Sequence, residues 1–248
     1  MKRSLLFLLV LVSLIIYPMQ DNVEASTTKV AVFYSPHQDD EVLTMGHAIT
    51  KYVLDGFEVH VVLLTDGSRS NSIHKVNDEL ELKMLAPLSV EEFSYARNLE
   101  FVRSLAAMGV SRENMHMEYL VDGKTTKEEI VQAMLQYITR FPSGEHHAFT
   151  YNNAHIDHKN SGLAIKELIE LGVLEETSSK YYIQNRDHNN VAGVYEDYKE
   201  SYLPIIQNAS DAYLDWHPLQ KLYSIGGISV PHDFNTLSKD PRSKYHLH

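Results

Sequence analysis

The chain predicts one α/β domain in three layers, a mostly parallel sheet with helices on both faces. Apolar runs such as Val30-Ala31-Val32-Phe33-Tyr34 and Val59-His60-Val61-Val62-Leu63-Leu64 are nearly continuous, as in strands covered on both sides. Segments of helical spacing separate such runs, and that alternation marks parallel strands joined by right-handed crossovers. With 248 residues, 44% hydrophobic and 22% charged, the chain can fill one sizeable core and is not a disordered polymer.

The elements follow in order. Pro36 ends the first strand, because proline cannot donate to a ladder. Val42 to Leu54 reads as a helix on the spacing of Val42, Met45, Ile49 and Val53, closed by Gly56. Glu58 to Leu64 is the second strand, with His60 read as a strand residue and not a ligand. Residues 70–90 show weak patterning and read as a long loop with a helical turn. Ser89-Val90-Glu91-Glu92 is a capping box that opens a helix running to Met108. Met115 to Leu120 is a third strand, stopped by the turn Asp122-Gly123. Thr126-Lys127-Glu128-Glu129 caps a helix that reaches Arg140. Ala148 to Tyr151 is the fourth strand, Ser161 to Leu171 a helix, and Lys180 to Gln184 the fifth strand. Tyr198 to about Tyr213 reads as helical, and the polar end of the chain as a loose tail.

Residues 1–25 carry a different pattern. Lys2 and Arg3 precede an apolar stretch from Leu5 to Tyr17, and Val23-Glu24-Ala25 offers small residues at a cleavage position. This predicts a secretory signal peptide, cleaved after Ala25, and an exported protein not held in a membrane. The stretch is shorter than the roughly 20 apolar residues a span needs. The expected organisation is a signal peptide over 1–25, a single α/β domain over 26–240 and a flexible tail over 241–248.

Charge and cysteine content narrow the chemistry. The formal net charge is −11, which disfavours electrostatic binding to nucleic acid or to anionic membrane surfaces. There is no cysteine, so thiolate ligands, cysteine nucleophiles and disulfides are excluded. Any metal must be held by imidazole and carboxylate.

Two clusters supply those groups. His37-Gln38-Asp39-Asp40-Glu41 follows the first strand, and His155-Ile156-Asp157-His158 follows the fourth. Three carboxylates in one turn repel each other, and a divalent cation among them removes that cost. A solvated acidic turn is the plainer reading of the first cluster alone. The second cluster, about 120 residues on, can meet it at the carboxyl ends of parallel strands, where open α/β sheets bind ligands. Imidazoles and carboxylates together suit zinc, although they also accept other divalent ions.

These two motifs resemble the signatures of the PIG-L, or LmbE-like, zinc-dependent de-N-acetylases, a His-Pro-Asp-Asp-Glu run and a later His-Pro-Asp-His. Gln38 and Ile156 stand where the family has proline. Leu64-Thr65-Asp66-Gly67, Arg97-Asn98-Leu99-Glu100 and Ala107-Met108-Gly109-Val110 extend the similarity, which covers roughly residues 30 to 170. The resemblance implies a Rossmann-like domain and hydrolysis of an N-acetyl amide on an N-acetylglucosamine-type sugar or glycoconjugate. It implies His37, Asp40 and His158 as metal ligands, with a zinc-bound water of pKa about 7 as nucleophile. Asp39 is then the general base, and His155 the group that faces the oxyanion or protonates the amine. Asp157 orients a histidine. Arg97, Asp66 and Arg69 are expected near substrate, with an ordinary surface pair to Glu100 as the other reading of Arg97. The competing function is a sugar- or metabolite-binding module with a non-catalytic metal site. The absence of Gly-x-Gly-x-x-Gly after the first strand disfavours a dinucleotide site.

Overall fold

The computed structural model describes residues 29–247. The expected signal peptide and the terminal His248 lie outside the described residues. The chain runs β1 (Val30–Ser35), α1 (Asp40–Leu43), α2 (Gly46–Leu54), β2 (Glu58–Thr65), α3 (Ser72–Leu82), α4 (Val90–Ala107), β3 (Met115–Leu120), α5 (Lys127–Arg140), β4 (Glu145–Phe149), α6 (Ile156–Glu170) and β5 (Tyr181–Ile183). It continues through β6 (Val194–Tyr195), α7 (Leu203–Leu214), a small hairpin of β7 (Trp216–His217) and β8 (Leu222–Tyr223), α8 (Ile225–Ser229), α9 (Pro231–Lys239) and β9 (Lys244–His246).

The main sheet has the order β3-β2-β1-β4-β5-β9-β6. The first five strands are parallel, and β9 and β6 add an antiparallel edge. The order turns back between β1 and β4, so their carboxyl ends open a crevice at a topological switch point. Alternation within each strand builds two cores. Phe33, Val61, Leu63 and Phe149 pack under α2, α4 and α7 on one face. Val32, Tyr34, Val62 and Ala148 pack under α5 and α6 on the other. The three-layer, mostly parallel arrangement expected from the sequence is therefore present. Among the described residues no helix is long and apolar enough to cross a membrane.

Both capping boxes form as read, with Ser89 and Glu92 opening α4 and Thr126 and Glu129 opening α5. Three expectations are corrected. The helix expected over 42–54 is broken at Thr44 and Met45 into α1 and α2. Ser243 bridges the break, accepting from Ala48 N at 3.3 Å and donating to Thr44 O at 2.9 Å. The weakly patterned 70–90 segment contains an eleven-residue helix, α3. Its Val76 and Leu80 are buried four residues apart, and Asn77 ties the following loop through both backbone groups of Leu88. Of the loose tail expected over 241–248, the described residues are ordered: Tyr245 pairs with Tyr182 in the sheet, and the buried Lys244 donates to the carbonyls of His188 and Val191.

Candidate active site

The first cluster begins where β1 stops. Thr65 donates to Pro36 O through both its backbone N–H, at 3.2 Å, and its hydroxyl, at 2.8 Å, so the end of β2 pins the turn. His37 N donates to Asp40 Oδ2 at 3.0 Å. Asp39 has φ +89°, a left-handed conformation that a non-glycine residue adopts only when its surroundings enforce it. Asp40 and Glu41 then start α1, where negative charge meets the positive helix end.

The second cluster is set by α6. His155 is its N-cap and accepts from Asp157 N through Nδ1 at 3.3 Å. Asp157 and His158 thus lie in the first helical turn, earlier than the sequence placed the helix start. Gly162 lets α6 press onto the end of β4: a Cβ there would stand 2.5 Å from Phe149 O and Tyr151 N. That contact carries His158 to the crevice between β1 and β4.

The two clusters meet. His37 Nδ1 is 3.1 Å from Asp40 Oδ2 and 3.1 Å from His158 Nε2, and His158 Nε2 is 3.0 Å from Asp40 Oδ2. Ring nitrogens of His37, His155 and His158 also lie within 4.8 Å of one another. On its far side His37 Nε2 faces Asp157 Oδ2 at 3.0 Å and Asp122 Oδ1 at 3.3 Å, so that nitrogen carries the hydrogen. Nδ1 then turns a lone pair toward a carboxylate oxygen and a second imidazole. Such a convergence of lone pairs is stable only around a proton or a cation. The residues therefore fit a divalent ion, with Asp157 backing His37 as carboxylates back metal-bound histidines.

The electrostatics agree. Burial alone would depress the His37 imidazole, but its hydrogen bonds to Asp122, Asp157 and Asp40 raise its pKa well above the ordinary value. Burial also works against the Asp40 charge, yet His158 and His37 hold that carboxyl far below the usual range. Neighbouring Asp39 goes the other way, pushed up to about 7 by burial and by Asp40 against the pull of Arg97 and His37. Two adjacent carboxylates with opposite shifts suit a ligand and a base. His155 is lowered by burial and by His37 and His158.

A cavity of about 470 Å³ opens over these groups. It is lined by His37, Asp39, Asp40 and His158, together with Arg97 and Asp122. Arg97 is buried, donates to Gln38 O at 3.1 Å and Gly67 O at 3.2 Å, and stands 3.8 Å from Asp39 and 3.9 Å from Asp122.

Residues 32–169 match the model of the PIG-L family, described as GlcNAc-PI de-N-acetylase, over more than half of the chain. The chain belongs to the PIG-L family. A comparison with curated proteins gives no match. Among solved structures, a triple mutant of a deacetylase of teicoplanin biosynthesis aligns with a TM-score of 0.68 at 14% identity, covering 89% of this chain and 98% of its own. The N,N′-diacetylchitobiose deacetylase of Pyrococcus horikoshii aligns at 0.56 and 19% identity, over 90% and 84%. A 4-carboxy-2-hydroxymuconate hydratase, GalB of Pseudomonas putida KT2440, aligns at 0.59 and 14%, over 89% and 96%. The fold thus hosts more than one reaction, and the site has to choose among them.

In this PIG-L chain most of the residues singled out from sequence line one cavity: His37, Asp39, Asp40, His155, His158, Arg97 and Arg69. Asp157 lies directly behind His37. The surface reading of the Arg97–Glu100 pair is excluded, since both are buried and Glu100 instead accepts from Ile225 N and Gly226 N. Asp66 is a correction. Its carboxylate accepts from Ser68 N and Oγ in its own loop and from Asp122 N beyond β3, and it does not line the cavity. His188, which follows β5, is buried with Nε2 on Ile183 O and does not line the cavity. Asp122 was read only as a turn, although it ends a third parallel strand and so stands at the same sheet edge. Gln184, Arg186 and Asp233 also line the cavity, with Arg186 3.3 Å from Asp233; no local pattern marks them.

Proposed function

We propose that this protein is a metal-dependent hydrolase that removes the N-acetyl group from an N-acetylglucosamine-type sugar or glycoconjugate. The observation that carries the reading is the triangle of His37 Nδ1, Asp40 Oδ2 and His158 Nε2, with edges of 3.0–3.1 Å. Imidazole and carboxylate donors at one point suit zinc among divalent ions. A divalent cation held there would polarise the acetyl carbonyl and ready a water for attack.

The chain's own residues do the rest. Asp39, beside the triangle and lining the cavity, takes the proton from the attacking water. Because His155 Nδ1 accepts from Asp157 N, its Nε2 carries the hydrogen and can donate it to the oxyanion or the departing nitrogen. The lowered basicity of His155 favours the neutral ring, so it acts as an N–H donor. Asp157 fixes the His37 ring. Arg97 and Asp122 offer a donor and an acceptor to substrate hydroxyls, and Arg69 stands on the cavity wall.

The signal pattern of residues 1–25 adds the proposal of an exported enzyme, with an envelope or extracellular glycan as substrate. The deciding experiment incubates purified protein with N-acetylglucosamine and its oligomers and measures acetate. Release that a chelator abolishes and zinc restores supports the reading. Binding of sugar without any acetate release would favour a binding module.

A further inference from the structure

Asp39 is the one non-glycine residue lining the cavity that is held in the left-handed region, and what holds it comes from far along the chain. Its backbone N–H donates to Tyr213 Oη at 2.8 Å and to Glu41 Oε2 at 3.1 Å. Tyr213 Oη in turn donates to Glu41 Oε1 at 2.7 Å. The three groups close a ring in which the single phenolic hydroxyl is both acceptor and donor. Tyr213 is fully buried on α7, 174 residues from Asp39 and beyond the stretch that matches the family model.

The surroundings give that hydroxyl no freedom. Phe234 packs on the Tyr213 ring at 5.7 Å between centroids. Gly226 is flush against it, so an added Cβ would stand 2.8 Å from Tyr213 Cβ and Cδ1. A non-glycine residue persists in the left-handed region only where its neighbours over-determine it. Here the neighbour is an absent side chain at 226, a ring at 213 and a carboxylate at 41.

We infer that Tyr213 is a positioning residue, which holds the Asp39 backbone so that its carboxylate faces the water and not the metal ligands. Tyr213 touches neither substrate nor cation. This makes α7 a working part of the catalytic apparatus, and it rests on the reading of Asp39 as the general base.

Tyr213→Phe tests it, because only the hydroxyl is lost. The expected result is a kcat lowered between about tenfold and a hundredfold, since small misplacements of a reacting group cost that much. KM and zinc affinity, the latter by titration calorimetry on metal-free protein, should stay within about threefold of the parent. A kcat per folded molecule equal to the parent's overturns the inference, and so does a parallel loss of zinc affinity, which would mean a general loosening of the loop. If Tyr213→Phe does not fold, Gly226→Ala displaces the ring instead and should show the same kcat-selective loss; unchanged kcat there overturns the inference. If the parent protein releases no acetate from any N-acetyl sugar, the functional reading fails separately. A crystal structure of Tyr213→Phe then decides: a φ at residue 39 that leaves the left-handed region supports the positioning role, and an unchanged φ overturns it.

Discussion

His37 Nε2 lies 3.0 Å from Asp157 Oδ2, and this contact settles which His37 nitrogen is free to bind a cation. Asp157 is itself held by Gly123 N at 2.7 Å and Thr125 N at 3.2 Å, so the ring orientation is fixed from the α5 side of the crevice. Asp157→Asn would present an amide, able to mimic only part of this pattern. Zinc affinity or turnover should fall by about 10–100-fold, as for other outer carboxylates behind metal-bound histidines. Calorimetric titration and acetate release measure the two quantities. A variant indistinguishable from the parent in both would remove Asp157 from the site.

The proposed mechanism gives the neighbours Asp39 and Asp40 different tasks, so it predicts that their variants part company. Asp39→Ala should retain zinc and lose most turnover, typically 10²–10⁴-fold for a general base. Asp40→Ala should lose zinc, because it removes one corner of the triangle and leaves His37 and His158 alone. Elemental analysis after dialysis reads the first property, and acetate release the second. The reverse pattern would exchange the two roles.

The pH dependence of turnover should carry the Asp39 signature. Burial and the Asp40 charge push its carboxyl up to about 7. A base works only when ionised, so kcat/KM should rise with pH along a limb at or below about 7 and fall away on the acid side. A bound cation draws the limb toward lower pH, never higher. Turnover that grows as the pH is taken from 8 down to 5 would contradict the assignment.

How much of this could be read from the chain depends on the range of the interactions. The two metal-type clusters and the two capping boxes were legible because their partners lie within a few residues. Buried strands were legible because their apolar runs are continuous. The break between α1 and α2 was not, since it rests on Ser243, and β9 was not, since a polar Lys-Tyr-His triplet becomes a strand only beside β5. Asp122 could have been found by asking which acidic residues end parallel strands. Asp233 and Tyr213 could not, because their place in the site is fixed by the packing of α7, α8 and α9 alone.

Gly67 should tolerate no side chain. It has φ +66°, and a Cβ would lie 2.4 Å from Gln38 Oε1 and 2.8 Å from Arg97 Nη1. Gly67→Ala therefore strains its own backbone and displaces the guanidinium that braces the Asp39 turn. A stability loss of about 1–3 kcal/mol is expected from the backbone term. Chemical denaturation measures that, and a raised KM or lowered kcat reports the displaced Arg97. A variant as stable and as active as the parent would show that the Arg97 and Gln38 contacts adjust freely.

The last prediction concerns stability away from the site. His146 on β4 is buried as a neutral ring. Tyr34 Oη donates to its Nδ1 at 3.0 Å, and its Nε2–H donates to Phe141 O at 3.3 Å, so both nitrogens are satisfied without a charge. Burial, with the nearby His147, lowers its pKa to about 4 against the pull of Phe141 O. The unfolded chain titrates near the ordinary histidine value of about 6.5 and so binds this proton more readily than the fold does. Above that value neither state is charged and nothing is lost. As the pH falls from about 6.5 to about 4 the unfolded state is progressively favoured, by roughly 3 kcal/mol at the limit. Urea unfolding at pH 7 and at pH 4.5 should therefore show a drop in stability that is smaller in His146→Gln, whose side chain does not titrate. Equal acid sensitivity in the two proteins would place the loss on other groups and remove His146 as its source.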